Sequence, residues 1–384
     1  MGRNIAATGT AFYPVVPAKL DGMLEVEMFR YIGAFVLLLA WGVGQGTAAQ
    51  AVEGRVVGAA TGQPVVGALL ILVGGDRVEQ ARTASTAAGG YALRAPGPGE
   101  YRLVVLRIGF VRWESPSMRL DPGALLQYAI ELPEEPLRLT EITVERESGC
   151  RVRPGAGETV GVLWEEARKA LALAHITKTG RQYLFRTVRT ERRISATLRP
   201  LEDPRVISFG LANWSFRSAS ADSLTRLGFV LPDSAGARVY HGPDVEVLFS
   251  EAFLELHCFR LHPDRERDLI GLAFEPLRRR FQPDIEGVLW LDRRTAALRR
   301  LDFSYTNLEG WVPKGPAGGS IDFDVLPTGA WVIHRWVLRA PVPQTTGAGA
   351  ARVTGLGGYV EFVGAVGEVL GPDGRPIRSY PPQP

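Results

Sequence analysis

Five histidines and two cysteines hold most of the chemistry open to this 384-residue chain. A zinc hydrolase needs a His-x-x-Glu pair and a distant third ligand, with one position left for water. The five candidates run His175-Ile-Thr-Lys178, His241-Gly-Pro-Asp244, His257-Cys-Phe-Arg260, His262-Pro-Asp-Arg265 and His334-Arg-Trp-Val337, and none ends on glutamate. His257, Cys258 and His262 could ligate a metal together with Cys150, but their spacing fits no common zinc pattern. A thiol nucleophile at Cys258 would need a base on its own side, whereas neighbours on a strand point to opposite faces. There is no G-x-S-x-G elbow, no G-x-x-x-x-G-K-S/T and no strand-borne G-x-G-x-x-G. The expectation is therefore no cofactor, no metal and no catalytic residue.

The remaining polar and aromatic groups admit two readings each. Asp322 with Asp324, and Asp244 with Glu246, are carboxylate pairs that could do acid–base work or simply line solvated strand faces. Arg278-Arg279-Arg280, with Arg293, Arg294, Arg299 and Arg300, could hold phosphate or lipopolysaccharide, or guard a sheet edge. Trp290, Trp311, Trp331 and Trp336 could form a stacking platform for sugar or lipid, or fill a β core. The tryptophans with Arg293 and Arg294 define the candidate binding surface.

Val162–Ala174 reads as one helix. Leu163, Ala167, Ala170, Leu171 and Ala174 form its apolar stripe, and Glu165, Glu166, Arg168 and Lys169 face out. Strands are expected over 183–192, 206–218, 245–261 (interrupted) and 269–274. Two hairpins follow: 287–291 with 297–305, and 319–325 with 331–339. A curved antiparallel sheet on one helix, an α+β arrangement, accommodates these. The segment from Thr345 is rich in glycine and reads as a tail with one short strand at 359–363.

The earlier part of the chain carries short β runs at turn spacing: 52–57, 67–73, 91–93, 101–108 and 127–132. Gly67–Val73 is apolar throughout, as befits a strand buried on both faces or one in a sandwich core. Gly54-Arg55-Val56, then TGQPVVGALLIL from Thr61, TAAGGYAL from Thr86 and GPGEYRLVVLRIGF from Gly97 resemble the carboxypeptidase regulatory-like domain. That resemblance implies a transthyretin-like, carbohydrate-binding-like sandwich, as found at the N-terminus of TonB-dependent receptors. Ala87 stands where the family usually has aspartate, so any ion-binding role of that residue is lost. The hairpin GVLWLDRRTAALRRLDFSY from Gly287 is similar to those of periplasmic lipoprotein-carrier sheets of LolA/LolB type.

The predicted fold class is mainly β: an N-terminal antiparallel transthyretin-like sandwich, then an α+β domain with a curved antiparallel sheet and one helix. The expected divisions are 1–50 as N-terminal extension and signal, 51–133 as sandwich, 134–160 as linker, 161–344 as second domain and 345–384 as tail.

Ile32–Val43 is an apolar run too short to span a bilayer, preceded by Arg30 and followed by the small residues Thr47, Ala48 and Ala49. It reads as a secretory signal, with translation starting at Met1 or Met28. Cys150 and Cys258, both in the exported part, are expected to form a disulfide. The formal charge of +3 gives no basic excess for a nucleic-acid partner. The expected function is that of an exported, non-catalytic envelope protein of the periplasm or outer-membrane periphery, not integral to the membrane after signal cleavage. It would bind or assemble with an envelope protein, a glycan or a lipid. The alternatives are a periplasmic carrier of an apolar ligand and a hydrolase with an unrecognised site.

Overall fold

Val52, Val56, Leu70, Leu72, Leu103 and Val105 lie at even spacing within short runs, so each run turns one apolar edge to the same side. The computed structural model describes residues 50–134, 158–262, 268–347 and 353–381. Nine strands make up its first part: β1 Ala51–Gly58, β2 Leu69–Gly74, β3 Glu79–Ala84, β4 Gly90–Arg94 and β5 Gly99–Leu106, then the short β6 Trp113–Glu114, β7 Met118–Leu120, β8 Leu125–Gln127 and β9 Ile130–Leu132. One sheet has the order β4-β1-β8, with β9 further along β1, and the other β3-β2-β5-β6, with β7 on β5. Tyr91, Leu93, Tyr101, Leu103, Ile130 and Leu132 close the core between them. The antiparallel expectation fails at β8 and β9, which run parallel to β1. The chain reaches them from the other sheet rather than through a hairpin, and a crossover permits the parallel direction.

The second part opens with α1 Glu158–Gly180, followed by β10 Leu184–Ile194, β11 Arg205–Ala212, α2 Ala221–Leu227, β12 Val230–Pro232 and β13 Arg238–Tyr240. Then come α3 Val245–Phe249, α4 Glu251–Leu256, β14 His257–His262, β15 Leu269–Pro276, β16 Asp284–Asp292 and β17 Leu298–Thr306. The last strands are β18 Gly318–Val325, β19 Trp331–Thr346, β20 Val353–Leu370 and β21 Pro376–Ser379. The curved antiparallel sheet has the order β11-β10-β20-β19-β18-β17-β16-β15-β14, with β21 on β20. Its inner face packs Leu289, Leu291, Leu301, Phe303, Ile321 and Ile333 against Leu163, Ala167, Ala170 and Leu171 of α1.

Three expectations for this part need correction. The stretch 245–261 is two short helices before it is a strand, so the described residues hold four helices instead of one. Local capping overrides the strand pattern: Asp244 accepts from the Glu246 and Val247 amides, and Ser250 accepts from the Phe253 amide. Glu166 and Lys169 do not face solvent, because α1 is covered on a second side by the sandwich. Finally, the glycine-rich stretch expected as a tail supplies β20 in the middle of the sheet, between β10 and β19. Its Gly364 lies under the Trp336 ring, where a Cβ would sit 2.0 Å from ring carbons, so the glycine serves close packing.

Candidate functional site

Alternation along β2 and β5 gives the second sandwich sheet two apolar faces. Leu70, Leu72, Leu103 and Val105 enter the sandwich core, while Leu69, Ile71, Val73, Val104 and Leu106 point the other way. Helix α1 comes to lie beside that outer face. Gly161, Val162, Glu165, Arg168 and Lys169, three or four residues apart, form the side it presents. Between sheet and helix runs an open groove of about 1380 Å³. Ile71, Val73, Val104, Leu106 and Phe110 give it an apolar floor. Arg77, Arg102, Arg112 and Arg168, set against Glu79, Glu100, Glu114 and Glu165, give it a rim of balanced charge. Glu114 holds two of these arginines, Arg102 at 3.4 Å and Arg112 at 3.2 Å.

One end of the groove is closed by a buried ion pair. The Lys169 ammonium donates to Arg107 O at 3.1 Å, Phe110 O at 3.0 Å and Glu166 Oε1 at 2.5 Å. Glu166 Oε2 accepts the Gly109 amide at 2.7 Å. An ammonium has three protons, and all three are used. Burial pushes the Glu166 carboxyl above its usual range, against the pull of Lys169. Two protons of the ammonium and one carboxylate oxygen go to the 107–110 loop and the rest join the two side chains, so the pair clamps the sandwich to α1. A second junction joins Gly67 to Gly329 in the β18–β19 turn. Both have positive φ, and a Cβ on either would fall within 2.7 Å of the other's backbone.

The sequence-predicted groups are spread widely. Trp331 and Trp336 lie in the sheet core. Trp290 is on the opposite face, its Nε1 donating to Asp302 at 2.9 Å, and Trp311 hydrogen-bonds Glu309 in the β17–β18 connection. The four therefore form no common platform, because alternation sends Leu289 and Leu291 inward and Trp290 outward. Arg293 donates to Leu269 O and Arg294 is exposed, both at the end of β16 away from Arg278–Arg280. Asp244 caps α3 and holds Lys178 at 2.8 Å. Asp322 and Asp324 pair with Arg335 and Arg378.

His257 turns away from Cys258: its Nδ1 meets Phe253 O at 2.8 Å and its Nε2 lies 3.3 Å from Asp284 Oδ1. Asp284, fully buried, also takes Arg280 and the Ile285 amide, and no substrate reaches it. Cys258 stands half-buried on β14 opposite Glu275, and its expected partner Cys150 lies outside the described residues. The same is true of the export segment up to residue 49. Among the described residues no group of three His, Cys, Asp or Glu side chains could hold a metal. None of the described helices is long and apolar enough to cross a membrane. Sequence reasoning missed both the Glu166–Lys169 clamp and the Asp284 cluster. The sequence carried no signal for the clamp, because Glu165 and Arg168 beside the pair make the four read as one solvated face.

Comparison with known proteins adds the following. The family model of the carboxypeptidase regulatory-like domain matches residues 51–133. A 5-hydroxyisourate hydrolase of Klebsiella pneumoniae is similar over 22% of this chain and 86% of its own, at 15% identity and a TM-score of 0.19. A Bacteroides fragilis protein described as membrane-associated and of unknown function is similar over 83% of this chain and 95% of its own, at 12% identity and a TM-score of 0.16. Scores this low carry no argument about either part. No curated protein matches the chain.

Proposed function

We propose, from the premise that residues 51–133 are a carboxypeptidase regulatory-like domain, that this is an exported, non-catalytic envelope protein that binds a partner in the groove between that domain and α1. The observation that carries the reading is the contrast between two spaces. The groove offers about 1380 Å³ with an apolar floor, whereas the described pocket between α1 and the curved sheet measures about 20 Å³. The latter is room for about one water molecule, which argues against a carrier of apolar ligand in the sheet. The saturated Glu166–Lys169 pair and the sealed His257–Asp284 contact argue against a hydrolase. The balanced rim suits an extended segment of an envelope protein better than a strongly charged polymer.

The location rests on the apolar run Ile32–Val43 with Arg30 before it. N-terminal sequencing of the protein from a periplasmic fraction is expected to begin at Gln50 or Val52, and a chain still starting at Met1 or Met28 overturns export. For the groove, a photo-crosslinking residue at Val73 should give a discrete adduct in the native envelope. Val162→Arg, placed on the facing helix, should abolish that adduct while the chain still unfolds in one cooperative transition. An adduct insensitive to Val162→Arg would place the partner elsewhere.

A further inference from the structure

Consecutive antiparallel strands reverse direction, so their connections alternate between the two ends of a sheet. The turns 293–297 and 326–330 lie at the end that meets the sandwich, where Gly109 approaches Thr295 and Gly67 meets Gly329. The connections 277–283 and 307–317 therefore lie at the opposite end, and they carry a feature that the groove does not use.

Phe281 is 85% exposed at the tip of the 277–283 loop. A large ring so open to water is common on a floppy loop, but this loop is held. The Asn307 amide donates to Arg280 O and Gln282 O, each at 3.0 Å, pinning the residues on either side of Phe281. The Arg280 side chain is buried on Asp284 and donates to Thr225 O at 2.8 Å. The Phe229 amide donates to Pro283 O at 2.7 Å, and Gly228 packs directly on Gln282 and Pro283. Next to Gly228, at the end of α2, Leu227 is also half open to solvent. The loop backbone is thus held on both sides of Phe281 with the ring standing in water. Arg278 and Arg279, three and two residues before it, are exposed and make no ion pair among the described residues. Other arginines here do have carboxylates: Arg280, beside Phe281, on Asp284, Arg226 of α2 on Asp222 and Arg238 of β13 on Glu309.

We propose that this loop end is a membrane contact, in which Phe281 enters the interface of an anionic lipid surface and Arg278 and Arg279 take the headgroup phosphates. Aromatic rings settle at the headgroup level of a bilayer, and exposed arginines add attraction to anionic leaflets. The shape favours lipid over a protein partner. A convex tip with one projecting ring enters a soft interface readily, whereas a folded partner would need a matching concave pocket. Few groups are involved, so the contact is weak, reversible and salt-sensitive.

The test uses the full chain carrying Phe281→Trp and vesicles with brominated acyl chains. The apolar run Ile32–Val43 is present in every arm, so only differences between variants are read. On vesicles containing phosphatidylglycerol, the added tryptophan should be quenched beyond the level of the unsubstituted chain. Phosphatidylcholine vesicles should give little extra quenching. Arg278→Gln and Arg279→Gln should each weaken the anionic binding roughly fivefold, and the pair roughly twenty-fivefold. All these positions are exposed, and an unchanged thermal midpoint certifies the fold. Absence of extra quenching on anionic vesicles overturns the proposal, as does binding unaffected by the double arginine variant. Val162→Arg in the groove should leave the quenching intact, which separates failure of this contact from failure of the groove.

Discussion

Lys169 illustrates how a residue that looks solvated on a helical wheel can hold two parts of a fold together. Its ammonium satisfies two carbonyls of the 107–110 loop and the Glu166 carboxylate in a nearly dry setting. Removing one partner of a buried pair leaves the other charge uncompensated, at about 3–5 kcal/mol. Lys169→Ala is expected to lower stability by that order in chemical denaturation, and a loss under 1 kcal/mol would show that the clamp is dispensable. Glu361 offers a test through pH. Burial alone would raise its pKa, but hydrogen bonds from Arg339 at 2.7 Å and Arg192 at 2.8 Å hold it below the ordinary 4.5. A depressed carboxyl contributes stability above its unfolded pKa, and that contribution is lost as pH falls through the folded value. Thermal midpoints should therefore drop more steeply below about pH 4.5 in the native chain than in Glu361→Gln, and parallel curves would refute this. Neither group was legible from the sequence. Arg192, Glu361 and Arg339 are joined by strand register alone, which no local pattern encodes.

At the scale of elements, legibility followed how local each determinant is. The hairpin of β16 and β17 announced itself through alternation around Asp292-Arg293-Arg294-Thr295, and the structure pairs Leu289 with Leu301 as that pattern requires. The sandwich strands were legible for the same reason. The helices α3 and α4 were missed because five or six residues hold too little periodicity, and their caps, Asp244 and Ser250, decide the outcome. Only 359–363 of strand β20 was legible, because its glycines, of which Gly364 is needed beneath Trp336, imitate a tail. A chain ending at Gly347 would leave β10 and β19 as open edges and should show no cooperative unfolding transition. A native-like transition would contradict the central place of β20. We also propose a bond between Cys150 and Cys258, closing a loop of roughly 100 residues worth about 4.7 kcal/mol in the chain-entropy model. Thiol titration of the denatured, unreduced protein should find no reactive thiol, and two would refute the bond.

Over the whole molecule, the described residues belong to one compact unit, yet the sandwich retains a core of its own. Residues 51–133 expressed alone are expected to unfold cooperatively, but to self-associate through the uncovered Ile71, Val104 and Leu106 face. A molten fragment would mean that the clamp to α1 is needed for folding itself. The placement of β20 also governs when the molecule can be finished. Ile194 pairs with Tyr359 and Leu184 with Leu370, so β10 waits for a partner strand 165 or more residues further along the chain. Loop closure over so long a stretch is slow, and until it occurs β10 has no partner on that side. A growing chain therefore stays open until β20 is made, while the sandwich, whose pairings span shorter stretches, can form earlier. Resistance to protease should arrive in two steps, first for the sandwich and then, only after β20 emerges, for the curved sheet.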